Sequence, residues 1–150
     1  MSNSPITNRN DNRADQVRKL LWPVAIIAFI FTVSYPANDI LRPDAETLTF
    51  PGFLAHAGIA LATAVVVFAL VIPWALRRES SGAVALALSI TGTLFAFGFW
   101  VGFPQALAAG GALLGWAGIN ATEGRRLSQA AFVIGLLGVI FNVFEQVPYY

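Results

Sequence analysis

Residues 82–119 read GAVALALSITGTLFAFGFWVGFPQALAAGGALLGWAGI, 38 positions without one charged side chain. As a single helix rising about 1.5 Å per residue, this stretch would reach about 57 Å, nearly twice the roughly 30 Å hydrocarbon core of a bilayer. Two helices joined by a tight turn use the length; one does not. Gly102-Phe103-Pro104 supplies the break. Glycine ends a helix in a left-handed conformation without steric cost, and proline suits the first turn of the next one. The stretch therefore divides into spans at 81–101 and 104–120, the second of them short enough to thin the bilayer around it.

Working outward, residues 52–76 form another apolar run, opened by Pro51 and closed by Arg77-Arg78. Residues 128–147 form a further one, preceded by Arg125-Arg126 and ended by Pro148. Toward the N-terminus, an apolar run at 20–35 follows Arg18-Lys19 and is closed by Pro36. It has the length of a signal-peptide core, but Tyr35-Pro36-Ala37 places a ring where a cleavage site needs a small residue, so an uncleaved span at 17–35 is expected. Residues 1–15, MSNSPITNRNDNRAD, are polar and lack apolar periodicity, and they are expected to be a disordered cytoplasmic tail ahead of a membrane domain at 16–150.

The charges test this count. With the N-terminus inside, five spans put Arg9, Arg13, Arg18, Lys19, Arg77, Arg78, Arg125 and Arg126 in the cytoplasm and only Arg42 outside. Eight of nine basic residues then fall on one side, as the positive-inside rule requires. Reading 82–119 as one span would move Arg125 and Arg126 outside and reduce the split to six against three. The expected fold is thus all-α, an integral bundle of five transmembrane helices in the cell (inner) membrane, with the N-terminus cytoplasmic and the C-terminus outside.

Composition agrees. Of 150 residues, 57% are hydrophobic and only 11% charged, and mean hydropathy is +0.67. A soluble domain carries about 25% charged residues, so a soluble enzyme is excluded. Net charge is +1, which gives no field for nucleic acid, and the absence of cysteine removes disulfides and thiolate chemistry.

Small and polar residues mark the candidate contacts. In the last span Ala131, Gly135, Gly138, Asn142 and Glu145 recur at three- and four-residue spacing and so share one helix face. Gly98-x-x-x-Gly102 and Gly111-x-x-x-Gly115 repeat the pattern in the third and fourth spans. Such faces let helix backbones approach, within one chain or against another membrane protein or a second copy. Ser89, Thr91 and Thr93 are expected to bond to carbonyls of their own helix.

His56, the only histidine, sits about one turn inside the outer end of the second span. An ionisable residue at such a position is by default a functional candidate. Glu145 and Gln105 are expected at similar depth and Asn142 one turn deeper, so if these spans are neighbours the four form a polar cluster beneath the outer interface. A His–carboxylate pair could carry a proton. One histidine and one glutamate are too few for a zinc site, and no cofactor or metal is expected.

The last seventy residues resemble small multi-pass bacterial membrane proteins of unknown function through Gly110-Gly111, Gly115, Gly124-Arg125-Arg126 and Gly135-x-x-Gly138. This resemblance covers under half of the chain and implies no activity. The tryptophan-rich sensory protein family shares the five-span plan, but its many tryptophan–proline pairs reduce here to Trp22-Pro23 and Pro73-Trp74. The expected function is that of a non-enzymatic accessory or structural membrane component with the lipid bilayer as its partner. The alternative is a small transporter or a ligand- or proton-binding protein built on the His56 cluster. A membrane enzyme is weakest, since no paired catalytic groups are visible.

Overall fold

A computed structural model describes residues 5–41, 49–78, 81–96, 103–121 and 123–146, with side chains from residue 15 onward except at 35, 38–41, 145 and 146. Every regular element among the described residues is a helix. There are five: α1 (Pro5–Leu41), α2 (Phe50–Ala75), α3 (Ser81–Ala96), α4 (Pro104–Gly118) and α5 (Arg125–Gln146). Three stretches, Asp15–Ser34, Phe50–Ala75 and Arg125–Phe144, are long and apolar enough to cross a membrane. α4, at 15 residues, is shorter, and of α3 16 residues are described.

α1 departs from the sequence reading at both ends. Residues 5–15, expected to lack regular structure, are its first turns. The helix also runs through Pro23 and Pro36, although Pro36 was expected to close it. A proline inside a helix removes one N–H and so strands the carbonyl four residues earlier. In an apolar surround such a proline is tolerated when a neighbouring helix re-satisfies that carbonyl, and for Pro36 the neighbour is α2.

α2 begins where Thr49 Oγ1 accepts a hydrogen bond from the Gly52 amide at 3.3 Å, with Pro51 in its first turn. It handles Pro73 differently. Residues Val65–Val71 widen into a π-helical segment, and the Ile72 amide reaches back five residues to the Val67 carbonyl. The extra residue in the turn takes up the bond that the proline cannot make.

α3, α4 and α5 pack closely on one another, and α4 also receives α1 and α2 on its remaining side, so the shortest of the five is the central helix. Ten of its 15 residues are buried, among them Gly110, Gly111, Gly115 and Gly118. Small residues on every face make this possible. Val67 of α2 fills the space above Gly110, Ala85 and Ser89 of α3 that above Gly111, and Ser128 and Phe132 of α5 that above Gly115.

The bundle is apolar outside as well as inside, where Phe68, Ile72 and Leu114 are buried together with a few polar side chains. Ser89 and Ser128 are wholly or almost wholly buried, as are Thr32, Gln105 and Asn142, whereas Trp22 and Leu70 are about 60% exposed and Phe144 72%. In each of the three long apolar stretches only 28% of the most apolar part is buried.

Candidate functional site

The polar residues expected to cluster are brought together in part, around a residue the sequence did not single out. Thr32, toward the C-terminal end of α1, is buried and receives groups from two other helices. Its carbonyl is the one stranded by Pro36, four residues on, and the His56 imidazole of α2 makes a hydrogen bond to the Thr32 backbone. Since the only Thr32 backbone group lacking a helical partner is the carbonyl, the imidazole N–H donates and the carbonyl accepts. On the other side, the Thr32 hydroxyl lies 2.8 Å from the Ala28 carbonyl and also contacts Gln105 Oε1 on α4. A hydroxyl has one proton and so serves one of these acceptors at a time.

Gln105 is 6% exposed and stands in the first turn of α4, directly after Pro104. Its Nε2 has no hydrogen-bond partner among the described residues. Leaving a buried amide donor unpaired costs about 1–3 kcal/mol. Beside it a cleft of about 160 Å³ opens between α1 and α5, floored by Gln105 and Ala109 of α4. Apart from Gln105 its lining is apolar, including Val24 and Phe31 of α1 and Val139 and Val143 of α5.

Asn142 Nδ2 donates to the Gly138 carbonyl of its own helix at 2.7 Å. The Glu145 side chain lies outside the described residues, as do Gly98 and Gly102. Among the described residues no group of three or more metal-ligating side chains occurs.

The small residues of α5 line its contact with α3 and α4. A Cβ at Gly135 would stand 2.7 Å from the Ala108 carbonyl and 2.8 Å from both Ala112 N and Ser89 Oγ; one at Gly138 would overlap Thr93. A Cβ on Gly115 would stand 2.6 Å from Phe132 N, and one on Gly111 would meet Ser89 N at the same distance. At this separation hydroxyls reach across. Ser89 Oγ donates to the Ala131 carbonyl at 2.7 Å and Thr93 Oγ1 to the Ile134 carbonyl at 3.2 Å. This corrects the expectation that they bond within α3: close approach makes the neighbouring helix's carbonyl available.

Sequence reasoning missed Thr32 and Ser128. The signal for Thr32 was present, because Pro36 marks the carbonyl four residues earlier as needing a donor from elsewhere. No protein-family model, curated protein or solved structure matches the chain.

Proposed function

We propose that the chain is a five-span integral protein of the cell membrane, N-terminus cytoplasmic and C-terminus outside, serving as a non-enzymatic accessory or structural component. The observation that carries this reading is the apolar exterior: large apolar side chains such as Ile26, Ile30, Leu61, Leu70, Leu137 and Phe144 face outward, around a core in which a few hydroxyls and amides are buried. In lipid, helices associate through small residues and interhelical hydrogen bonds instead of by hiding apolar surface.

The shortness of α4 fits the same reading. A helix of 15 residues reaches about 22 Å, short of a roughly 30 Å core. α4 is surrounded by protein, so lipid thickness does not dictate its length. At the other end of the bundle, the Arg78 guanidinium sits 4.5 Å from the centre of the Trp74 ring, an aromatic–cation pair of the kind found at membrane boundaries. A proton-carrying role has less behind it, because His56 serves the Thr32 backbone and Asn142 serves Gly138.

The topology is tested by cysteine labelling, for which the chain is suited because it has no native cysteine. Asp44→Cys should react with an impermeant maleimide from outside intact cells, and Arg125→Cys only after the membrane is opened. Labelling of both from one side overturns the five-span count.

A further inference from the structure

We propose that the open recess at the C-terminal end of α2 binds one anionic phospholipid, its phosphodiester held by Arg77 and Arg78 and one of its acyl chains lying along Leu70 and Val71. The recess measures about 710 Å³, and its lining runs from Leu70 and Val71 past Pro73 and Trp74 to Arg77 and Arg78. Leu70 and Arg77 are seven residues apart, about 10 Å along the helix axis, so the apolar and charged ends are well separated. The apolar end belongs to the stretch Phe50–Ala75, which is long and apolar enough to cross a membrane, and both arginines follow directly after it. The recess thus spans the boundary between hydrocarbon and headgroups, where an amphiphile with a charged head fits both of its ends.

The charged end is arranged to receive an anion. The chain leaves α2 through tight turns, with the Arg77 amide bonded to the Trp74 carbonyl at 3.2 Å and the Arg78 amide to the Ala75 carbonyl at 3.0 Å. The Arg78 guanidinium comes to rest 4.5 Å from the centre of the Trp74 ring. The indole steadies the cation but offers it no oxygen, so its N–H donors suit an outside acceptor such as a phosphate. The ion pair among the described residues is Arg18–Asp15, at the other end of the sequence. Glu79 follows Arg77-Arg78, giving two positive charges and one negative, a balance that one phosphodiester neutralises. A free phosphate or an acidic peptide would satisfy the arginines and leave Leu70 and Val71 uncovered. A zwitterionic lipid would cover them but bring a second cation to the arginines. That the lipid belongs to the cytoplasmic leaflet rests on the topology proposed above; its binding depends only on how α2 ends.

The full chain, purified in detergent, is titrated with dioleoyl phosphatidylglycerol and with dioleoyl phosphatidylcholine, and bound lipid is counted by native mass spectrometry. Each basic side chain at a membrane surface raises affinity for anionic lipid about fivefold. Phosphatidylglycerol should therefore bind the unaltered protein more tightly by about fivefold to 25-fold. Arg77→Gln combined with Arg78→Gln should bring the two lipids level. Arg125→Gln combined with Arg126→Gln, the same loss of charge at another helix end, should leave the preference in place. Glycerophosphoglycerol, the same headgroup without acyl chains, should not compete. Equal affinity of the unaltered protein for the two lipids overturns the proposal, and so does competition by the headgroup alone. A preference that survives the loss of Arg77 and Arg78, or falls as far with the loss of Arg125 and Arg126, does the same. The span count is decided separately, by the cysteine labelling.

Discussion

His56 and Pro36 form a pair across two helices although neither touches the other's chemistry directly. The proline withdraws a donor from the Thr32 carbonyl and the histidine supplies one. If that exchange is what His56 contributes, its value must depend on the proline. His56→Phe should destabilise the fold by about 0.6 kcal/mol and by no more than about 1.7 kcal/mol, the average and the maximum for side-chain hydrogen bonds in a membrane helix bundle. In a Pro36→Ala background, where residue 36 again has an N–H for Thr32, the same change should cost close to nothing. A double-mutant cycle read by unfolding in mixed micelles gives the coupling. Equal cost in both backgrounds would show that His56 acts elsewhere. The pairing was only half legible beforehand. An intramembrane histidine stands out in a sequence with one histidine, but its partner is a backbone atom, which leaves no mark on residue identity except the proline four positions later.

For the elements, what could be read was periodicity and punctuation; what could not was separation between helices. Gly102-Phe103-Pro104 marks a break, and α4 begins at Pro104, while α3 is described as far as Ala96. Three- and four-residue spacing puts Ala131, Gly135, Gly138 and Asn142 on one face, and all four are buried. Which neighbour each glycine meets depends on tertiary packing: Gly111 and Gly115, one turn apart, face α3 and α5 respectively. Interhelical distance likewise decides that Ser89 and Thr93 donate to carbonyls of α5 and not to those of their own helix. Glycine substitutions separate the tight sites from the open ones. Gly135→Ala places a methyl 2.7 Å from the Ala108 carbonyl, so α4 and α5 must part, and a loss of about 1–3 kcal/mol is expected. Gly58→Ala meets nothing within 4 Å and should be neutral or stabilising by up to about 1 kcal/mol through helix propensity. Midpoints of denaturation for the two variants check both values. Similar midpoints would mean that the α4–α5 contact is looser than described.

Across the whole molecule, the outward face makes its own prediction. Leu137 lies near the middle of α5 and is 58% exposed. A lysine at the centre of a membrane helix costs about 2.5–3.5 kcal/mol of insertion free energy. Leu137→Lys should therefore reduce integration of α5 sharply in a translocon assay, whereas Leu137→Phe should leave it intact. Were the lysine accepted without loss, that face would have to border water or a polar partner. Charge placement and low charge content pointed to lipid from the outset; the central position of the fourth helix was not to be read from them, because an Ala/Gly-rich segment looks the same at the rim of a bundle as at its middle.

That central position bears on how the protein is made. α4 keeps few side chains for lipid, and its 15 residues fall short of the bilayer core. A segment of this kind leaves the insertion machinery poorly retained by lipid alone, and its best partners, α3 and α5, lie on either side of it in the chain. α4 is thus expected to wait on the synthesis of α5 before it is held in place. The order of assembly would run from the rim inward, with the middle of the bundle the last part to be secured.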